Sequence, residues 1–276
     1  MKNRICLAVL GLSAVVLGCA PASRETEGLR LVPGRTDIVI DAKAVPTVRF
    51  AAEELSNFLS RVLGAPVSVE TNRTPGRVAI VLGENGWSRA KGLDPSPLIR
   101  DGFLRLVDDD TIYLVGRDDP KENPALMAKG KGATMFERAT LFGVYEFLER
   151  FAGVRFYFPG ELGTILPRTD ALKVPHGRIE SHPDWKVRYY SHMDDNYAHW
   201  FPWLDRSEWR KAMNLELYRL RMETEHIPCC HGQEQEHLTE RFASTHPEYF
   251  YMERDGSRHT RYDPKDKNVN SQLCHT

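Results

Sequence analysis

Two stretches of this chain place apolar residues at helical spacing, and each must bury that face against something. In residues 47–63 the set is Ala51, Leu55, Phe58, Leu59 and Val62, with Glu53, Glu54 and Asn57 between them. In residues 141–152 it is Leu141, Val144, Tyr145, Leu148 and Phe151 or Ala152. An amphipathic helix needs a partner layer, and the intervening runs supply one. Residues 36–40 (TDIVI), 65–70 (APVSVE), 77–83 (RVAIVLG), 102–107 and 111–116 read as strands. Val78 to Leu82 is unbroken apolar sequence, as expected of a strand covered on both faces. Pro46 and Gly64 fit the start and end of the first helix. Asp108, Asp109 and Asp110 predict a hairpin turn, since no glycine or ligand ladder supports calcium. The order β-α-β-β-β-β-α-β predicts an α/β fold, a two-layer α/β sandwich with both helices on one face of the sheet.

Residues 141–168 (LFGVYEFLERFAGVRFYFPGELGTILPR) join the second helix tightly to an aromatic-rich strand ending at Pro159-Gly160. Gly153 lets the chain reverse at once. Gly143, in mid-helix, costs ~1 kcal/mol relative to Ala, and marks either close packing or a tolerated loss. From His182 the texture changes to Trp, Tyr, His and Asp. Residues 186–192 (KVRYYSH) predict a strand, 206–214 a helix, 217–222 a strand or buried segment, and 236–244 a helix. Arg254-Asp255-Gly256 predicts a hairpin. Alternating strands and helices here suggest the beginning of a parallel β/α series.

Lys2 and Arg4 precede an apolar run from Ile5 to Leu17, a charged start and apolar core of signal-peptide length. The run falls short of the ~20 residues of a membrane span. It ends in Val16-Leu17-Gly18-Cys19, which resembles the lipobox of bacterial lipoproteins, with Cys19 as the acylated residue. The alternative is an ordinary secretory signal with a chance cysteine. The expected organisation is a lipoprotein signal over residues 1–19, a polar tether over 20–30 and the sandwich over 31–178. Residues 179–276 are expected to begin a barrel.

Lys and Arg total 37 against 38 Asp and Glu, with no basic run, which argues against nucleic acid as a partner. The five cysteines form no dense disulfide framework.

Several of these stretches resemble a known group. AAEELSNFLSRVLGAPVSV, GFLRLVDDDTIYLVGRDD and the 141–168 segment resemble the N-terminal domain of family-67 α-glucuronidases and of β-hexosaminidase-like glycosidases. The residues that carry it are Gly143, Tyr145, Phe147 and Leu148, then Arg155, Phe156, Tyr157, Pro159 and Gly160. THPEYFYMERDGSR and SQLCHT are similar to landmarks of the bacterial domain of unknown function 4838 family. The resemblance implies a β-hexosaminidase domain 2-like sandwich followed by the first part of a (β/α) TIM-type barrel. It also implies carbohydrate as the partner and no cofactor. Family members continue further, and barrel glycosidases carry their acid and nucleophile on later strands. The expectation is therefore a chain truncated within the barrel, whose catalytic carboxylates remain unassigned.

The candidate substrate-binding residues are Asp194, Asp195, Trp200, His231 and Glu248. Asp194 and Asp195 follow the expected first barrel strand, where acids accept from sugar hydroxyls or simply face solvent. Tyr189, Tyr190, Tyr197, Trp200, Trp203 and Trp209 offer stacking platforms, or barrel core. His231-Gly232 resembles a substrate contact in the relatives. His226, Cys229, Cys230 and His231, with His237 near, form the most metal-like cluster, yet adjacent cysteines diverge and the spacing is not that of a zinc site. No metal is assigned. Gly130-Lys131-Gly132 lacks phosphate-loop spacing.

Two functions follow: a surface-anchored, carbohydrate-active protein of glycoside hydrolase type, or a non-catalytic carbohydrate-binding or scaffold lipoprotein. Either is expected to sit in the periplasm or on the outer-membrane surface, held by Cys19. Cys19→Ser should move the exported protein from the membrane to the soluble fraction. Equal partition of the two forms would reject lipidation.

Overall fold

The computed structural model describes residues 28–127, 136–188, 205–222 and 238–260. Its centre is a six-stranded mixed sheet. In chain order its strands are β2 (Thr36–Val39), β3 (Ser68–Glu70), β4 (Val78–Leu82), β5 (Phe103–Val107), β6 (Thr111–Gly116) and β10 (Gly177–Ser181). Across the sheet the order is β10-β5-β6-β4-β2-β3. β3, β2, β4 and β6 run parallel, whereas β5 is antiparallel to both neighbours. Two small pairs flank it. β1 (Gly28–Leu31) pairs with β9 (Leu172–Pro175), and β7 (Arg155–Phe156) with β8 (Thr164–Ile165). β1 therefore starts inside the segment expected to be a tether.

The helices are α1 (Pro46–Leu63), α2 (Gly86–Ala90), α3 (Pro124–Met127), α4 (Ala139–Phe151), α5 (Arg206–Arg219) and α6 (Leu238–Phe242). α1 and α4 cover one face of the sheet. Their Leu55, Phe58, Leu59, Leu141, Tyr145 and Leu148 join Ile38, Ile80, Ile112 and Leu114 in one core. The alternate strand residues Val39, Val81, Tyr113 and Val115 point the other way. They pack with Leu93, Leu98 and the half-buried Trp87. This explains the unbroken apolar run of β4: α2 and the segment after it cover the second face.

α2 has too few apolar residues to betray itself by periodicity. It is specified by its cap. The Asn85 side chain accepts from the Trp87 and Ser88 amides, both at 3.0 Å, and the Asn85 amide donates to Ser88 Oγ at 2.9 Å.

The 141–168 segment departs from expectation. Its strand is two residues long, and Tyr157 and Phe158 are exposed. Gly163 folds back on the chain: a Cβ there would lie 1.8 Å from the Phe158 carbonyl oxygen. Gly143 does mark close packing, because a Cβ would lie 3.0 Å from the Phe103 ring on β5. The triple aspartate is the turn between β5 and β6, closed by the Asp108 amide on Thr111 O at 2.9 Å and tethered by Lys91–Asp108 and Arg73–Asp110.

The region after Ser181 also corrects the expectation. Residues 217–219 continue α5, so of the two alternatives for 217–222 the buried segment fits them and the strand does not. Residues 186–188 carry no strand either, while 189–192 lie outside the described residues. Among the described residues beyond Ser181 there is no paired barrel strand. The one bridge, Met252 with Arg258, closes the turn at Arg254-Asp255-Gly256.

α5 instead packs on the helical layer. Met213, Leu217 and Tyr218 are buried, and Tyr218 joins the core of α1 and α4. Arg219 donates to Glu54 of α1 at 3.0 and 3.3 Å, and Tyr145 of α4 donates to the same carboxylate at 3.1 Å. Glu216 is fully buried with neither carboxylate oxygen hydrogen-bonded. Burial pushes it above its ordinary value of 4.5; Arg219 opposes this and Glu54 adds to it. An acid raised in the fold contributes its stability fully below its ordinary value and loses it as pH rises through the folded one. The unfolding temperature should therefore fall as pH rises above the ordinary carboxylate value of 4.5, and Glu216→Gln should flatten part of that fall. An unchanged slope in thermal unfolding would exclude Glu216 as a contributor.

Candidate functional site

Where β10 ends, the chain passes over α4 and meets the C-terminal end of α5. A cleft of about 370 Å3 opens there, lined by Asp101, Phe103, Phe142, Glu146, residues 181–185, Arg188, Leu220 and Arg221. Its volume lies in the ~300–1,000 Å3 range of small-molecule sites.

The cleft is built around Arg188. Its Nη2 donates to Asp101 Oδ2 at 2.9 Å, its Nε to the Arg221 carbonyl at 2.8 Å and its Nη1 to the Trp185 carbonyl at 2.6 Å. The guanidinium also lies 5.6 Å from the Phe142 ring centre. One side chain thus ties the loop before β5, the crossing segment and the end of α5.

Two of the residues it joins are strained. Asp101 has φ 63° and Arg221 φ 58°, a region non-glycine residues seldom enter. Such strain persists only where surrounding structure enforces it, and it concentrates at functional sites. Asp101 is almost fully buried, and its amide donates to Glu137 at 3.2 Å. Burial raises its carboxyl above the ordinary range, against the pull of Arg188.

The other acids of the cleft differ in freedom. Glu146 is held by Arg105 and Arg150, both at 3.2 Å. Asp184 is exposed. Trp185 is 76% exposed, so its indole forms an open apolar surface at the rim beside charged groups.

Of the sequence-based site residues only Glu248 falls among the described residues. Asp194, Asp195, Trp200 and His231 lie outside the described residues, as do Cys19, Cys229, Cys230 and Gly130-Lys131-Gly132. Glu248 sits in the turn Pro247–Tyr249, bonded to His246 Nδ1 at 3.0 Å, and lines no part of this cleft. Its own backbone, then His246, hold its carboxyl below the usual range. Trp209, a candidate platform, is half-buried on α5. Sequence reasoning passed over Trp185, although His182-Pro183-Asp184-Trp185 marked the change of texture. Nothing in the sequence signalled that Arg188 would reach Asp101.

No protein-family model matches the chain, and no curated protein sequence matches it. Solved structures similar to it include a family GH115 4-O-methyl-α-glucuronidase with specificity for decorated arabinogalactans, at 18% identity and TM-score 0.42, covering 70% of this chain and 25% of that one. The GH20 β-N-acetylhexosaminidase of Streptomyces coelicolor A3(2) aligns at 19% identity and TM-score 0.36, covering 62% and 27%. A mutant Streptomyces plicatus β-hexosaminidase in complex with its product GlcNAc aligns at 14% identity and TM-score 0.36, covering 63% and 28%. The chain spans about a quarter of the length of these proteins. Scores of this size do not assign residue roles, so the functional reading rests on the chain's own cleft and sequence.

Arg188→Ala should cost roughly 3–5 kcal/mol in urea unfolding, the scale for stripping the partner from a buried charge. Asp101→Asn in the same background should recover part of it. No recovery would mean that the ion pair is not what holds the cleft.

Proposed function

We propose that this chain is part of a surface-anchored, carbohydrate-active protein of glycoside hydrolase type, and that its described portion binds sugar without cleaving it. The observation that carries the reading is the exposed Trp185 indole at the rim of a cleft with charged walls. An indole offers a flat apolar face to the C–H side of a sugar ring while nearby polar groups meet its hydroxyls. The sequence resemblance to family-67 α-glucuronidases and hexosaminidase-like glycosidases supports the same class. In this fold its marker residues Tyr145, Phe147, Leu148 and Phe156 are core, whereas Arg155 and Tyr157 are exposed, so the buried part of the resemblance speaks for architecture.

Binding is favoured over hydrolysis within the cleft because its acids are engaged. Glycoside cleavage needs two carboxyl groups ~5–10 Å apart, one to protonate and one to attack or activate water. Asp101 and Glu146 are both held by arginines, leaving Asp184 as the exposed acid. Asp194, Asp195, Trp200, His231 and Glu248 are retained as proposed sugar contacts of the segment after the sandwich, and that segment as the proposed start of a barrel. Cys19 is the proposed anchor.

Trp185→Ala should weaken binding of uronic-acid oligosaccharides to the full chain by about tenfold, ~1.4 kcal/mol, in calorimetric titration. Wild-type affinity in that variant would sink the cleft as the sugar site. Hydrolysis of aryl glycosides by the same preparation, abolished by mutating Asp184, would favour the enzymatic reading instead.

A further inference from the structure

We propose a second ligand site in the crevice at the carboxyl ends of β2 and β4, shaped for a small hydroxyl-bearing molecule with a primary ammonium group. Topology makes the crevice. β2 and β4 are adjacent and parallel. β2 leads into α1, packed on one face of the sheet, whereas β4 leads into α2, whose Trp87 packs on the other. The chain diverges between the two strand ends, which is where open α/β sheets leave room for ligands. The resulting cleft is about 380 Å3, and its lining includes Asp41, Lys43, Val48, Leu82, Glu84 and Asp118.

Gly83 lets the wall come close. It takes φ 77°, and a Cβ there would lie 2.8 Å from Val48 Cγ2. Asp118 is set at the far side, beyond the end of β6. Its Oδ1 accepts from the Thr140 amide at 3.1 Å, where α4 begins. Asp41 accepts from the Lys43 amide at 2.7 Å, and Glu84 pairs with Arg89 at 3.1 Å.

Three carboxylates against the single ammonium of Lys43 make the crevice unfavourable for anions. Among the described residues no acids converge as a metal site requires. Separated acceptors along a cleft instead suit a molecule with several donors. Burial, with some help from the Glu137 and Asp101 carboxylates, pushes Asp118 up to about 7. A ligand ammonium would supply the counter-charge that Asp118 lacks.

The test is an amide NMR titration of the full chain with glucosamine at about pH 7.3, where a good share of both the Asp118 carboxyl and the ligand's amine is charged, with glucose as the ammonium-free control. The expected result is saturable shifts at Lys43, Glu84, Gly116 and Asp118, about tenfold weaker with glucose and about tenfold weaker in Asp118→Asn. Trp185→Ala should leave the titration unchanged, which separates this site from the proposed sugar cleft. If Asp118→Asn does not fold, Glu84→Gln serves, with about a threefold loss expected and an unchanged affinity counting against the site. No saturable shift, equal response to glucose, or shifts confined to other residues would overturn the proposal.

Discussion

The charge that most constrains this molecule is the guanidinium of Arg138. It stands at the entrance to α4 with about 1% of its side chain exposed. Leaving such a charge unpaired in the interior would cost several kcal/mol. The fold answers with partners from three directions. Glu122 lies 3.7 Å away, the Met222 carbonyl accepts at 2.6 Å, and the rings of Phe142 and Tyr218 lie 5.2 and 4.8 Å from the guanidinium carbon. Tyr218 in turn donates to Glu122. The beginning of α4, the segment before α3 and the end of α5 are therefore bound to one charge.

That arrangement decides how the later chain sits. α5 has a weak apolar stripe and would make a poor surface helix on hydrophobicity alone. It is held by directional contacts: Arg219 on Glu54, Arg221 on Glu149 at 2.8 Å, and Tyr218 on Glu122. Hydrophobic burial is indifferent to small sliding motions, whereas forked arginine–carboxylate pairs are not. The same contacts fix Arg221 in its strained conformation and bring its carbonyl to Arg188. The Trp185 cleft is thus a by-product of how α5 is secured, and its shape depends on residues more than a hundred positions away in sequence.

The two clefts have different physical origins. The crevice beside Asp118 follows from strand order, because parallel neighbours whose helices leave on opposite faces cannot close over their own carboxyl ends. The Trp185 cleft depends on a single arginine and on two left-handed residues. The first should survive considerable sequence change in the sandwich. The second should be sensitive to substitution at Arg188 or Asp101.

The α/β class, the spans of α1 and α4, the β5–β6 hairpin and the core positions Leu55, Phe58, Leu59, Leu141, Tyr145 and Leu148 were all legible from local periodicity. Period 3.6 and continuous apolar runs are properties of neighbouring residues, and burial follows directly from them. The turn at Asp108-Asp109-Asp110 and the reversal at Gly153 were legible for the same reason. β1, β9 and β10 were not, because strands of four or five residues carry too short a pattern to stand out and are defined by the partner they pair with. α2 depends on a cap rather than a stripe. Between a strand and a buried segment at 217–222, the extension of α5 to Arg219 took the second, because Tyr218 and Arg219 found helical partners in Glu122 and Glu54. The site was least legible of all: Asp101, Arg188 and Arg221 are ordinary surface-type residues in sequence. Only the tertiary structure brings them together, since the free energy that buries them belongs to their pairing and not to any one residue.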